Sequence, residues 1–396
     1  MTFTPTRSAA LSRLNDFLPR AGRIYADGRN ADHGPEARTN VSVLSPYIRH
    51  RLITEAEVVA AVLARHSGAV AEKFVQEVLW RTYWKGWLEM RPEVWTRFVT
   101  ERDAIERVSG LTKAVAAAEA GATGIDGFDD WARELVETGY LHNHARMWFA
   151  SIWIFTLRLP WTLGADFFLR HLVDADPASN TLSWRWVAGL QTAGKTYLAS
   201  ADNIARYTGG RFSPKGLARE ALALTEAPIA KAMPIATMPT VDPRTPALLL
   251  LTGEDLHPES LFARDMAVRA VLAAPVVAGW PWGDKAAAFV TAATDDARER
   301  AGKYFNCKTT TATIDADAVI AAAQAAKAKI VVSAYAPVGP VADALSAIEP
   351  AIRAAGLSLV RVRRDWDSAF WPHATKGFFP FKERIPALLS EMGMRF

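Results

Sequence analysis

The feature that most constrains this chain is a change of pattern across residues 225–246. That stretch, TEAPIAKAMPIATMPTVDPRTP, holds five prolines among Ala and Thr. Proline fixes φ and offers no N–H, so neither a helix nor a central strand can run through it. A Pro-rich linker is expected there, with one domain over 1–224 and another over 247–396.

The two sides are written differently. EAEVVAAVLARHS, AEKFVQEVLWRTYWKGWLEM, FDDWARELVETG and HNHARMWFASIWIFTLRL carry apolar residues three and four apart, the period of a helix with one packed face. No segment of the first half reads as a strand. After the linker, ALLLLTG, APVVAGW, KIVVSAY and LSLVRV read as short buried strands. They alternate with the helical stretches PESLFARDMAVRAVLA, DADAVIAAAQAAKA and GPVADALSAIEPAIRAAG. The fold class is therefore an all-helical domain followed by a parallel-sheet, Rossmann-like α/β domain. Ligands of such sheets sit beyond the strand carboxyl ends, here the loops TGEDLHPE and SAYAPVGP. Neither loop carries a GxGxxG or phosphate-loop motif.

Composition excludes several classes. Half of the residues are hydrophobic, so each domain can bury its own core. A formal net charge of +4 permits a polyanionic partner without demonstrating one. Cys307 is the single cysteine, so no internal disulfide and no all-cysteine metal or iron–sulfur cluster can form. The run MWFASIWIFTL is too short to span a bilayer, and MTFTPTRSAALSRL lacks the apolar core of a secretory signal. A soluble, cytoplasmic, monomeric protein without a metal centre is the expectation.

Ten of the fourteen tryptophans precede residue 225. Two of them close the segment DADPASNTLSWRW at 174–186, where carboxylates and an amide run into indoles. Taken alone that segment is a polar loop, SVLSPYI at 42–48 is a helix cap, and Arg146 is a surface arginine. With YADGRN from Tyr25, EVLWRTYW from Glu77 and TGIDGFDDWARELVETGYLHNHARM from Thr123, in this order, the first half resembles the flavin-binding domain of the cryptochrome/photolyase family over roughly 20–210.

The resemblance implies FAD as the cofactor. It assigns Tyr25, Val41, Ser42, Leu44 and Ser45 to the phosphates, with Val41 standing where relatives usually have Thr. Asp174 and Asp176 fall at the ribose and isoalloxazine edge, Asn180 beside flavin N5, and Asn143, Arg81 and Arg146 on the flavin side. Arg146 is expected to pair with Asp174. A neutral amide at N5 suits a flavin reduced to its anion.

Trp184 and Trp161 match the first two tryptophans of the family's electron relay; the third falls near Val108, leaving Trp148, Trp153, Trp95 or Trp131 as substitutes. Glu77, Trp80, Asn143, His144, Met147 and Trp186 match the pocket for a flipped pyrimidine dimer. His144 replaces a usual Arg and could titrate, and Phe74 stands where Trp is common. Relatives acting on the (6-4) photoproduct carry His at positions 143 and 147, so the cyclobutane dimer in ultraviolet-damaged DNA is the expected substrate. The alternatives are a cryptochrome-like photoreceptor that does not repair DNA, and a flavin-bearing scaffold. LLLLTGEDLHPESLFA and KGFFPFKERIPALL resemble the start and close of the family's usual N-terminal antenna domain, which implies a circular permutation. The identity of any antenna chromophore is not implied.

Overall fold

The structure, a computed structural model, describes residues 2–105, 111–277 and 279–396. Through Tyr207 its regular elements are all helical. The helix Glu55–Leu63 starts on a capping box, with the Thr54 hydroxyl accepting from Glu57 N while the Glu57 carboxylate accepts from Thr54 N. The helix Gly68–Glu89 is the spine of the domain and packs against the helix Pro177–Ala188, which also packs against Asn143–Ser151. The apolar run at 147–157 continues that last helix into a π-helical turn, Ile152–Thr156, and Trp148, Phe149 and Trp153 are fully buried. No described helix is long and apolar enough to cross a membrane.

From 208 to 246 there is neither helix nor strand. The proline-rich segment lies along the helical domain: Met233 N donates to Met90 O (2.9 Å), and Arg97 donates to the carbonyls of Ala227 (2.8 Å) and Pro228 (3.0 Å).

Five parallel strands follow: β1 Ala247–Thr252, β2 Val268–Ala274, β3 Lys308–Thr311, β4 Ile330–Ala334 and β5 Ser358–Val362, in the order β3-β2-β1-β4-β5. All six residues of β1 are buried, as a central strand covered on both faces requires. Two expectations are corrected. PESLFARDMAVRAVLA is not a helix; after a 3₁₀ turn at Pro258–Ser260 it supplies β2. APVVAGW is not a strand, because the chain leaves the sheet at Ala274 and Pro275 cannot donate to a ladder.

Strand order reverses between β1 and β4, where a doubly wound sheet usually holds its ligand. Here the helical domain fills that place. His50 Nδ1 lies 2.7 Å from Gly253 O, Leu256 N donates to His50 O (2.9 Å), and Arg49 holds both oxygens of Glu254 at 2.7 Å. On the β4 side, Glu89 accepts from the Tyr335 hydroxyl (2.7 Å) and from Val338 N (2.6 Å). The cavity bordered by Arg49, Pro177, Glu254, Trp280 and Val341 measures about 10 Å³, barely room for one water. The two loops expected to bind a ligand are domain-docking loops.

KGFFPFKERIPALL forms the short helices Phe378–Lys382 and Ile385–Glu391. It returns to the Gly68–Glu89 helix, where Phe378 stacks on Trp80 (3.6 Å, 10°) and Tyr83 donates to Lys376 O (2.8 Å). One hydrophobic core thus runs through both domains.

Candidate functional site

The segment 174–180 turns sharply into a helix. Asp176 caps the helix Pro177–Ala188 by accepting from Ser179 N (2.8 Å), and Pro177 supplies the fixed φ of a first turn. Asp174 receives a fork from Arg146 (3.0 and 2.8 Å). Burial would raise the Asp174 carboxyl; Arg146, helped by the Ser45 hydroxyl, outweighs it and holds the group below its ordinary range.

Asp176 is governed differently. Lys85 (3.4 Å), Arg81 (3.7 Å) and Arg49 (3.8 Å) surround its Oδ2 and keep it ionised well below the usual range against the push of burial. None of the three is close enough for a good hydrogen bond, and both Asp176 Oδ2 and Arg81 Nη1 are buried without a partner among the described residues. Asn180 donates Nδ2 to Ala165 O (2.8 Å), which turns its carbonyl oxygen the other way.

Three helices that contact or begin at this segment carry open positions. Glu77 is exposed and Trp80 and Arg81 are half-buried on the helix Gly68–Glu89; Ser179, Ser183 and Trp186 share a face at i, i+4 and i+7; Asn143 and Met147 are open at i and i+4. Glu77 has a side chain 38% open, yet its surroundings exclude enough water that desolvation pushes its carboxyl up. That combination describes a group on the wall of a recess.

The segment expected at the phosphates lies beside Asp174. Val41, Ser42 and Ser45 are half-buried, Leu44 is fully buried, and Ser42 Oγ accepts from Leu44 N (3.3 Å). Val43 takes a left-handed φ of 51°, costly for a β-branched residue and a mark of strain held at a functional turn. Tyr25 packs edge-on to Phe17 (5.9 Å) and Phe74 (5.1 Å), and burial pushes its phenol up.

Trp184 is buried against Phe168 (5.2 Å) and Trp153 (6.2 Å), with its indole N–H unpartnered. A Cβ on Gly164 would lie 2.4 Å from its ring, so that glycine makes room for the indole. Trp161 begins the helix Trp161–His171 and lies 5.8 Å from Phe98. Trp186 stacks on Tyr197 (5.7 Å, 27°). Val108 lies outside the described residues.

His144 differs from its expected role as a free, titrating contact. Its Nδ1 meets Asn30 O (3.0 Å), its Nε2 lies 3.4 Å from the Tyr197 hydroxyl, and its ring stacks on Trp148 (4.2 Å). Burial lowers its pKa, and both ring nitrogens lie beside protein oxygens. Two residues went unanticipated, Arg49 and Lys85. Lys85 follows Arg81 by one turn on the same helix, a spacing that could have disclosed it.

The donor set fits a flavin. Unpartnered buried polar atoms are rare in native proteins, and an acidic acceptor beside an arginine donor suits the polar edge of an isoalloxazine.

A family model described as the FAD binding domain of DNA photolyase matches residues 74–215. A deoxyribodipyrimidine photo-lyase of Agrobacterium fabrum is 34% identical over 192 residues, covering 47% of this chain and 39% of the relative. One from Streptomyces griseus is 36% identical over 170 residues, covering 42% and 35%. A crystal structure of a class III photolyase from Agrobacterium tumefaciens aligns at 31% identity with a TM-score of 0.45, over 52% of this chain and 43% of that one. The aligned part thus spans under half the length of these relatives. The helical half carries an FAD-binding domain of the photolyase type. Over that half, the chain is similar to members of the cryptochrome/photolyase family.

Proposed function

We propose that this protein is a light-driven flavoenzyme that splits cyclobutane pyrimidine dimers in ultraviolet-damaged DNA. FAD, if held here in its reduced form, would supply the light-driven electron that opens the dimer ring and is returned afterwards. Asp174–Arg146 and Asp176 with Arg81 and Lys85 would hold the cofactor, and Ser42 and Ser45 would meet its phosphates. The Asn180 carbonyl would accept the N5 proton without adding negative charge.

Glu77, with its raised pKa, would hydrogen-bond a flipped base, while Trp80 and Trp186 wall the pocket and Met147 and Asn143 line it. The observation that carries the reading is the pair of buried, unpartnered atoms Asp176 Oδ2 and Arg81 Nη1 beside the open positions Glu77 and Trp80. The proline-rich segment joining the helical half to a following α/β half supports a circular permutation of the family's domain order. We take the enzyme to act as a cytoplasmic monomer.

A non-repairing photoreceptor is the second reading. It is favoured by Phe378 covering one face of Trp80 and by the inward turn of His144.

Illumination of the reduced protein with ultraviolet-damaged oligothymidine decides between them. Repair restores base absorbance, and Glu77→Ala lowers it severalfold with flavin still bound. Full flavin reduction without recovery of absorbance would leave the photoreceptor.

A further inference from the structure

We propose that the electron relay of this chain leaves Trp161 through Trp95 and Trp280, a stacked pair spanning the domain boundary, with the Asp343 carboxylate taking the indole proton. The inference rests on the flavin reading above. Rings continue from Trp161 in one direction: Phe98 lies 5.8 Å away, and Trp95 5.4 Å beyond it. Trp95 stacks on Trp280 (5.6 Å, 29°), which belongs to the α/β half and is half-buried, so the series ends within reach of solvent.

Trp95 is the member equipped to hold an electron vacancy. It is 2% exposed, and its Nε1 donates to Asp343 Oδ2 at 2.9 Å. A carboxylate stabilises an adjacent radical cation and can accept its proton. The neighbouring rings carry the opposite bias, since guanidinium groups lie 6.0 Å from Trp161 (Arg185) and 4.9 Å from Trp280 (Arg102).

The other tryptophans lack this combination. Trp153 touches Trp184, but its Nε1 donates to the Pro160 carbonyl, which cannot keep a proton. Trp131 and Trp148 stack on each other and lead to His144.

The steps balance as follows. With FAD bound as oxidised flavin and excited by light, Trp184 would give up one electron, Trp161, its neighbour in the relay by resemblance, would refill that vacancy, and Trp95 would refill the vacancy on Trp161. The Trp95 radical cation releases its Nε1 proton to Asp343, leaving a neutral indolyl radical and a neutral acid. An added thiol, oxidised in the process, returns an electron through Trp280, and Asp343 returns the proton.

The test is flash photolysis of the flavin-loaded full chain with dithiothreitol, following the tryptophan radical and its protonation state. Trp95→Phe should lower photoreduction severalfold at unchanged flavin content. Trp280→Phe, at a half-buried site that spares the fold, should slow thiol-dependent decay of the radical. Asp343→Asn should leave a radical in its cationic form that recombines faster. Repair by prereduced protein should not change in any of the three.

If Trp184→Phe abolishes photoreduction while the Trp95 and Trp280 variants behave as wild type, the route is wrong and the flavin reading stands. A chain that takes up no flavin overturns both.

Discussion

Two clusters of buried charge sit side by side in this molecule, and they are finished to different degrees. At the domain junction Arg51 holds both oxygens of Asp367 (2.7 and 2.8 Å), and Arg364 holds both oxygens of Asp255 (2.6 and 2.8 Å). His257 N adds a further bond to Asp255 (3.2 Å). Each oxygen of these two acids has a donor, and of the acids around Arg51 only Glu55 keeps a buried oxygen, Oε1, without one among the described residues. At the helix start nearby, Asp176 has three cations around Oδ2 and a hydrogen bond from none of them. The first arrangement holds two domains together. The second balances charge while leaving directional bonds unmade, which is how a wall waiting for a polar ligand differs from a structural ion pair.

The largest effect should come from breaking the finished cluster. Arg51→Met strands Asp367 and part of Asp255 in the interior, and about 3–5 kcal/mol of stability should be lost, seen as a marked drop in Tm. Asp176→Asn should act the other way round. The amide can still cap the helix and Arg49 keeps Glu254, but Lys85 and Arg81 lose their counter-charge, so the flavin-free protein should lose less stability than with Arg51→Met, while bound FAD falls steeply. Equal destabilisation by the two variants would erase the distinction between the clusters.

The smallest effect is in pH. Asp255 is held down to about 2 by Arg364 against the push of burial, so its contribution is complete above the ordinary Asp range and is lost only as pH falls toward 2. Burial raises Glu89, at the same junction, to about 7. Its contribution is present below about pH 4.5 and disappears as pH rises through 7. Denaturant unfolding between pH 5 and 8 should therefore show a decline that Glu89→Gln flattens. An unchanged slope would place the titration elsewhere.

What could be read from the sequence follows from how local each signal is. β1, β4 and β5 are continuous apolar runs between turn residues and were legible. β2 was not, because Ala270, Ala273 and Ala274 in MAVRAVLAA suit a helix as well, and only β1 and β3 on either side make it a strand. β3 is four residues of an edge strand, largely exposed. In the site, the Arg146–Asp174 pair was implied by motifs that keep their spacing. The place of Arg49 beside Asp176, and the Asn30 carbonyl that meets His144, depend on segments far apart in the chain. No periodicity announces them. Trp280 was equally silent, since it gains a role only when the second domain brings it onto Trp95.

The central claim is that the unpartnered atoms Asp176 Oδ2 and Arg81 Nη1 are completed by a flavin. The most direct measurement is the visible spectrum of the purified protein before and after blue light with a thiol, followed by release and quantification of the chromophore. The account predicts a yellow protein that bleaches and yields FAD in equal proportion to chain, and an Asp176→Asn variant that is folded and nearly colourless. A colourless wild-type protein that takes up no FAD on titration would contradict it.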